Sequence, residues 1–315
     1  MNSNVPSTRQ RLPEWLVRPW AGGPAHEEVR ALLDGLHLHT VCESARCPNL
    51  GECWARRTAT FMILGNVCTR HCRFCAVRSG APLPVDETEP RRVAEAVQRL
   101  NLAHTVVTMV TRDDLPDGGA DIVARTIRAI RECSPGTTVE VLTSDFGGNP
   151  ELIAIVTDAA PDIFGHNIET VRRVAPHARD RRFSYEQSLR TLAIARRQMS
   201  RGYVKSAFML GWGEEESEVL ETLQDLRTAG CDVVAIGQYL QPSRRHGSVR
   251  QFIHPETFKR YEAAAWGLGF RFAVAGPFAR SSYRAEAVFN LDHPAASVTG
   301  PDNNTAGTDQ EGRNP

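Results

Sequence analysis

The chain has 315 residues, of which 41% are hydrophobic, and it carries 37 Lys plus Arg against 37 Asp plus Glu. This length and composition can bury a sizeable core and favour one main α/β catalytic body with short extensions over two equal domains. The zero net charge excludes a global basic field that would recruit nucleic acid or an acidic membrane surface. No apolar run approaches the ~20 residues of a membrane span, and the polar start MNSNVPSTRQ lacks a signal-peptide core. We therefore expect a cytoplasmic or equivalent reducing location without disulfides.

The predicted elements divide the chain into four parts. Residues 1–58 are rich in Pro, Gly and Arg and contain one helical stretch, HEEVRALLDGL, which predicts an N-terminal extension packed on the main body. Over 59–276, six short apolar runs alternate with amphipathic ones, beginning with TFMILG and EPRRVAEAVQRLN, and a later helix and strand (FRFAVAG) follow. Six strands joined by helical crossovers favour a partial (β/α)6 TIM-type barrel over an open doubly wound sheet. Residues 277–290 form a C-terminal segment, and the Gly-, Asn- and Asp-rich residues 291–315 are expected to be disordered.

Polar segments follow each of the six predicted strands. In chain order they are CTRHC, TRDD, SDFGG, HNIET, GWGE and QPSRRH. In a (β/α) barrel the carboxyl ends of all strands meet at one face, and active sites lie there. We therefore expect the functional site at this face.

Six of the eight cysteines fall into two closely spaced triplets. They are Cys42, Cys47 and Cys53 in the first, and Cys68, Cys72 and Cys75 in the second. Clustered cysteines in a reducing compartment indicate metal or redox chemistry, whereas the isolated Cys133 and Cys231 are expected to be ordinary small side chains. Structural zinc generally takes four ligands, with cysteines in C-x2-C pairs, and neither triplet has that form. Three thiolates instead predict a 4Fe-4S cluster with one iron that has no cysteine ligand.

The second triplet resembles the signature of the radical S-adenosylmethionine (SAM) superfamily. It reads CTRHCRFC, follows the first predicted strand directly and has the aromatic Phe74 before its last cysteine. The resemblance implies that the open iron binds SAM and that an electron from the cluster cleaves SAM to methionine and a 5'-deoxyadenosyl radical. That radical abstracts hydrogen from unactivated carbon, while the protein supplies orientation and excludes water.

Longer motifs over roughly residues 11–287 look like the lipoyl synthase family: HTVCESARCPNLGECW, TATFMILGNVCTRHCRFCAV, TRDDLPDGGA, HNIETV, IGQYLQPSRRH and GPFARSSY. The resemblance implies that the first triplet holds an auxiliary 4Fe-4S cluster, whose fourth ligand is a serine of the Arg280-Ser281-Ser282-Tyr283 motif. We expect Ser282 to be that ligand, with Ser281 as the alternative, and we expect Arg280 beside it to act in catalysis. A serine oxygen is a harder donor than a thiolate, so it suits a ligand that must be released.

The implied reaction inserts two sulfur atoms from the auxiliary cluster at carbons six and eight of a protein-bound octanoyl chain and consumes two SAM molecules. The implied partners are octanoylated lipoyl domains of 2-oxoacid dehydrogenase complexes or the glycine cleavage H protein, an electron donor such as ferredoxin or flavodoxin, and an iron-sulfur carrier. No nucleic acid or membrane partner is expected. The alternatives are sulfur insertion into a different substrate, which the RSSY motif and the lack of a basic nucleic-acid-binding module disfavour, and a non-catalytic iron-sulfur scaffold.

Further polar residues at the expected barrel mouth are candidates for binding SAM or substrate. They are Phe74, Arg112, Asp113, Asp114, Asn167 and Glu169. For the run Arg112 to Asp114, the alternative is a solvated loop at a helix start. Carbonyl and carboxylate oxygens of the Asn and Glu suit the ribose and amino groups of SAM.

Two features remain open at this stage. Arg244, Arg245 and His246 either attract an acidic lipoyl domain or form a loop salt-bridge cluster. Four residues depart from the family pattern and either reshape the acyl tunnel or adjust packing: Gly165, Ala207, Phe208 and Trp212.

Overall fold

The computed structural model describes residues 11–18, 22–283 and 285–290, so the predicted tail over 291–315 lies outside the described residues. Within these ranges, no helix is both long and apolar enough to cross a bilayer.

The N-terminal extension packs short helices against the start of the main sheet. Its elements are a 3-10 turn at Glu14–Leu16, α1 at Pro24–Gly35, β1 at His39–Thr40, α2 at Val41–Ser44 and α3 at Leu50–Ala55. Pro24 begins α1, where its missing N–H costs no hydrogen bond. The Thr40 hydroxyl accepts a hydrogen bond from the Glu43 amide at 3.3 Å and so caps α2. The imidazole of His26 on α1 lies 5.0 Å from the Trp54 ring on α3, which joins the two helices.

The strands of the main body are β2 at Thr60–Ile63, β3 at Val67–Cys68, β4 at Arg78–Ser79, β5 at His104–Met109, β6 at Thr138–Leu142, β7 at Ile163–Gly165, β8 at Tyr203–Leu210, β9 at Val233–Gln238 and β10 at Phe272–Gly276. The helices are α4 at Glu89–Arg99, α5 at Ala120–Cys133, α6 at Pro150–Thr157, α7 at Ala175–Ala178, α8 at Tyr185–Gln198, α9 at Glu216–Thr228 and α10 at Pro255–Gly267. Two further 3-10 turns lie at Phe146–Gly148 and Ala285–Asn290.

Strand pairing confirms the predicted parallel partial barrel. The main sheet has the order β1-β2-β5-β6-β7-β8-β9-β10, and every neighbouring pair is parallel except β1 with β2. The FRFAVAG strand is β10 and extends the six predicted parallel strands to seven. Strands β2 and β9 are buried along their whole length, as expected when helices cover one face of a parallel sheet. β3 and β4 form a separate short parallel pair.

The last described turn packs at the amino-terminal end of the barrel. Val288 is buried against Ile163 and Val233, which are the first residues of β7 and β9. The Phe289 ring lies 5.4 Å from the imidazole of His104, the first residue of β5. Because β10 ends at the opposite face, the described residues 277–283 lie toward the carboxyl-terminal face of the barrel and residues 285–290 at its amino-terminal face.

Candidate functional site

One large cavity of about 490 Å³ opens at the carboxyl-terminal face of the barrel. Its lining brings together residues that are far apart in the chain, from Val41 to Ser282. The sequence-predicted residues among them are Cys47, Cys68, Cys72, Phe74, Cys75, Asn167, Glu169, Arg280, Ser281 and Ser282. Arg112 and Asp113 are not among the lining residues. The cavity volume falls within the range of about 300–1,000 Å³ that is typical of ligand sites.

The loop after β2 carries the second cysteine triplet in a partly buried setting. Burial, together with charge from neighbouring thiols of the triplet, raises the pKa of Cys72 to about 11 and that of Cys75 to about 12. The Asp180 amide donates a hydrogen bond to the Cys72 sulfur at 3.4 Å. The thiols therefore interact electrostatically, and a bound metal would replace their protons.

Arg70, between Cys68 and Cys72, anchors this loop to the barrel. Its guanidinium donates to Asp113 at 2.8 Å and to Asp145 at 3.0 Å. The same group lies 3.9 Å above the Phe183 ring. Asp145 is completely buried, and hydrogen bonds and charge from Arg70 hold its pKa below the usual value although burial opposes this. Two carboxylates and one aromatic ring therefore fix the position of the cysteine loop.

Ion pairs also hold the run from Arg112 to Asp114. Arg112 is 2% exposed, and its guanidinium donates to Asp114 at 2.8 Å and to the Leu64 carbonyl at 3.3 Å. Asp113 accepts hydrogen bonds from Thr69 and Arg70 on the cysteine loop. This geometry favours a positioning function for Arg112 and Asp113, and a contact of either residue with SAM stays a prediction.

A one-residue bulge presents Asn167 and Glu169 at the cavity. Gly165 pairs with Lys205, and Glu169 pairs with Phe208. The four residue steps from Gly165 to Glu169 therefore lie opposite three residue steps on β8, so the first segment holds one extra residue. Glu169 has a φ of 71°, a conformation that non-glycine residues seldom adopt. Burial raises the pKa of its carboxyl group. Asn167 Oδ1 is buried without a hydrogen-bond partner among the described residues, so it offers an acceptor to a ligand.

Sequence reasoning missed Arg179 as a residue of this site. Its buried guanidinium lies 4.0 Å above the Phe183 ring, on which Arg70 also packs, and donates to Ser188 at 2.7 Å. It lines the cavity, and its charge acts on Glu169 and Cys72. Arg179 follows the short helix α7, and no spacing in the sequence distinguishes it from the arginines nearby.

The first triplet lies on α2, α3 and the turn between them. Burial, together with charge from Cys47, raises the pKa of Cys42 to about 11. Burial, together with charge from Cys42 and Cys47, raises the pKa of Cys53 to about 12. These thiols form a second interacting group, of which Cys47 lines the main cavity.

The C-terminal segment reaches this second group. The Asn49 side chain donates to the Phe278 carbonyl at 2.8 Å, and the Tyr283 hydroxyl donates to Glu52 at 2.9 Å. Burial lowers the pKa of Arg280, and charge from Cys47 opposes that shift. A Cβ on Gly237 would lie 2.2 Å from the Ala279 carbonyl oxygen, so the approach of the segment to β9 requires glycine.

The two serines differ in their surroundings although both line the cavity. Ser281 is 9% exposed, and its Oγ is buried without a hydrogen-bond partner among the described residues. Ser282 is half-buried. Both hydroxyls are available to a cluster held by the first triplet, so the structure leaves each of them as a candidate ligand.

The donor set fits two iron-sulfur clusters. All eight cysteines are free thiols. Among the described residues, no three His, Cys, Asp or Glu side chains are grouped so that they could hold a single metal ion. There are two sets of three interacting thiols, and one set lies near the Ser281 hydroxyl, which has no hydrogen-bond partner among the described residues. This arrangement matches the cysteine ligation of 4Fe-4S clusters with one position left open.

The residues that depart from the family pattern serve packing. Phe208 and Ala207 are buried on β8 and do not line the main cavity. Trp212 stacks on Tyr239, with ring centroids 4.5 Å apart. A Cβ on Gly165 would lie 3.0 Å from the Val141 carbonyl oxygen, closer than most side chains tolerate. These four residues therefore affect the packing of the barrel wall behind the cavity.

Comparisons with solved structures support the fold, and a family model defines the class. The chain superimposes on methylornithine synthase (PylB) with a TM-score of 0.52 at 11% identity, covering 85% of this chain and 91% of that one. It superimposes on HydG, a maturase of the [FeFe]-hydrogenase, with a TM-score of 0.54 at 13% identity, covering 79% of this chain and 68% of that one. Residues 62–226 match the family model of the radical SAM superfamily, so the fold and the cysteine loop are those of a radical SAM protein.

Comparisons with known sequences define the family. Residues 2–47 match the N-terminal domain of lipoyl synthase. The chain is 51% identical over 278 residues to the lipoyl synthase of Thermus thermophilus, covering 88% of this chain and 86% of that protein. It is 52% identical over 281 residues to the lipoyl synthase of Caldanaerobacter subterraneus subsp. tengcongensis, covering 89% and 98%. The chain belongs to the lipoyl synthase family of radical SAM enzymes, and its cofactors are SAM and 4Fe-4S clusters.

Proposed function

We propose that the protein inserts two sulfur atoms at carbons six and eight of an octanoyl chain attached to a protein lysine, which forms the lipoyl group. One observation carries this proposal: a single cavity is lined by donors of both cysteine triplets and by both serines. A radical generated at one triplet and a sulfur source at the other must meet the same acyl chain, and a shared cavity permits this.

The residues after β2 and β7 have separate tasks in this proposal. Cys68, Cys72 and Cys75 hold a 4Fe-4S cluster, which with SAM supplies the chemistry that removes hydrogen from unactivated carbon. Asn167 Oδ1 and the Glu169 carboxylate accept hydrogen bonds from SAM. Arg70, held by Asp113 and Asp145, keeps the loop in place, and Arg179 gives positive charge beside Glu169.

The cavity lining suits an acyl chain. Apolar side chains from several strands and loops contribute to it: Met62, Val77, Val110, Leu142, Met209 and Leu240. Burial of each methylene of an octanoyl chain against such a surface is worth about 0.8 kcal/mol. In this proposal the lysine arm enters from the carboxyl-terminal face, where the cavity opens, and its carrier is an octanoylated lipoyl domain or the glycine cleavage H protein.

The auxiliary cluster, held by Cys42, Cys47, Cys53 and Ser282, is the sulfur substrate in this proposal. Its serine ligand is a poorer match for iron than a thiolate and is released as sulfur leaves. Arg280, which interacts electrostatically with Cys47 and directly precedes the two serines, balances the negative charge of the cluster. A ferredoxin or flavodoxin type of donor reduces the first cluster, and a carrier protein rebuilds the second.

The serine pair tests this proposal. Ser282→Ala should retain SAM cleavage and lose sulfur insertion into an octanoylated H protein, because it leaves the SAM-binding triplet intact. Ser281→Ala is the matched control, with the same hydroxyl removed one residue away. Unchanged lipoyl yield in Ser282→Ala, with loss in Ser281→Ala, would transfer the ligand assignment to Ser281; unchanged yield in both variants would remove the serines from the reaction.

A further inference from the structure

A second, smaller pocket of about 230 Å³ lies beside the main cavity. Three arginines give its lining positive charge: Arg73, Arg173 and Arg250. His177, Trp212 and Ser248 also line it. Trp212 stacks on Tyr239, which lines the main cavity, so one aromatic pair separates the two pockets. The indole Nε1 of Trp212 is buried without a hydrogen-bond partner in the described parts of the chain. The small pocket plays no part in the chemistry assigned above.

Two loops meet to form this basic surface. The Gly247 amide donates to the Arg73 carbonyl at 2.9 Å, and His246 Nε2 lies 3.1 Å from the Cys75 carbonyl. The loop after β9 therefore rests directly on the cysteine loop. His246 therefore helps to hold the loop after β9 against the cysteine loop.

Positive charge on these loops is poorly neutralised. Segments 66–80 and 239–254 contain no Asp or Glu, although the chain as a whole has zero net charge. Within the described ranges, five exposed arginines of these segments make no ion pair: Arg73, Arg78, Arg244, Arg245 and Arg250. Arg173 pairs with Glu218 at 2.7 Å. Arg244 and Arg245 therefore form no loop salt-bridge cluster with other residues that the structure describes, and the rim keeps a local positive field.

We infer that this rim is a docking surface for the acidic face of the protein that carries the acylated lysine. The inference rests on the proposed function, because a lysine arm that enters the main cavity brings its carrier protein against the surrounding loops. Carboxylates of the carrier then face the unpaired arginines and accept hydrogen bonds from them. Such complementary charge raises the association rate and selects the partner.

Binding measurements on a double variant test this surface. Arg244→Gln/Arg250→Gln removes two exposed charges without touching a residue of the main cavity. The matched control is Arg201→Gln/Arg271→Gln, which removes two exposed arginines that precede β8 and β10 at the opposite face. The dissociation constant is measured by calorimetry with reconstituted protein, octanoylated H protein and no reductant, at about 50 mM and about 250 mM salt.

We expect the first variant to bind octanoylated H protein roughly tenfold more weakly at low salt and to show a smaller salt dependence, with the control unchanged. Unchanged affinity in the first variant would overturn the inference, as would an equal loss of affinity for an octanoyl-lysyl tripeptide, which would place the arginines in the acyl site. Loss of binding to an RNA oligonucleotide alone would assign the rim to nucleic acid. If the unsubstituted protein bound neither H protein nor tripeptide, the proposed function itself would fail.

Discussion

The hydroxyl of Tyr283 donates a hydrogen bond to the carboxylate of Glu52, with 2.9 Å between the oxygens and 231 positions between the residues in sequence. Glu52 precedes Cys53 on α3, and Tyr283 follows the serine pair. The contact therefore draws the C-terminal motif to the first triplet. An auxiliary site of this kind assembles only when both ends of the chain are folded against each other.

Tyr283→Phe removes this hydrogen bond and keeps the ring. Because the acceptor is a carboxylate, we expect a loss of about 1.5–3 kcal/mol in the free energy of unfolding and lower iron occupancy of the first triplet. Tyr203→Phe is the control, because Tyr203 lies at the amino-terminal end and its hydroxyl makes no hydrogen bond to described residues. Iron and sulfide analysis with urea unfolding checks both variants, and equal iron content in the two would contradict the expected effect.

Arg70→Gln leaves the buried Asp145 without its cation. We expect the free energy of unfolding to fall by about 3–5 kcal/mol, since a buried carboxylate loses its ion pair. Arg92→Gln breaks the exposed pair with Asp86 and should cost less than about 1 kcal/mol. Urea unfolding measures both changes. Similar losses for the two variants would show that Arg70 does not anchor the cysteine loop.

Asn167→Ala removes the buried acceptor at the cavity. We expect the dissociation constant for SAM to rise about tenfold, which corresponds to the loss of one hydrogen bond of about 1.4 kcal/mol. Asn66→Ala, at an exposed position outside the cavity lining, is the control. Equilibrium SAM binding to the reconstituted protein is the measurement. The iron content must stay constant in both variants, and an unchanged affinity for SAM in Asn167→Ala would exclude the contact.

His104, at the amino-terminal end of the barrel, should make the free energy of unfolding depend on pH. Burial, with the charge of Lys205, lowers the pKa of His104 to about 3. In the unfolded chain the imidazole titrates near 6.5. Below that pH the unfolded state binds more protons than the folded state, so the free energy of unfolding decreases as the pH is lowered from 6.5 to about 3. Through this group, lowering the pH from 7 to 5.5 decreases the free energy of unfolding by about 1 kcal/mol. Urea unfolding at the two pH values measures this decrease in the unsubstituted protein and in His104→Gln. We expect the decrease to be about 1 kcal/mol smaller in the variant, and an equal decrease in both proteins would contradict the prediction.

The parallel barrel and both cysteine triplets were predictable because they leave local signals. Strand runs such as TFMILG and the spacing of Cys68, Cys72 and Cys75 are set by neighbouring residues. For the seventh parallel strand, β10, the sequence predicted a strand but not its place in the sheet. Its parallel pairing with β9 depends on the path of the chain between the two strands.

The environment of the site was less predictable because long-range contacts create it. Arg112 and Asp113 follow a barrel strand, yet their charges are engaged by Asp114 and Arg70. Arg179 belongs to the cavity because Phe183 and Ser188 hold it there. The bulge at Asn167 and Glu169 likewise depends on pairing with β8, which no local pattern encodes.

The most direct test of the central claim combines cluster counting with mass spectrometry of the product. The protein is reconstituted anaerobically with isotopically heavy sulfide, its iron and sulfide are counted, and it is then incubated with SAM, reductant and octanoylated H protein. The account predicts two 4Fe-4S clusters per chain, transfer of two heavy sulfur atoms to the octanoyl chain and loss of one cluster. A single cluster, stoichiometric zinc, or SAM cleavage that leaves the H protein without sulfur would contradict it.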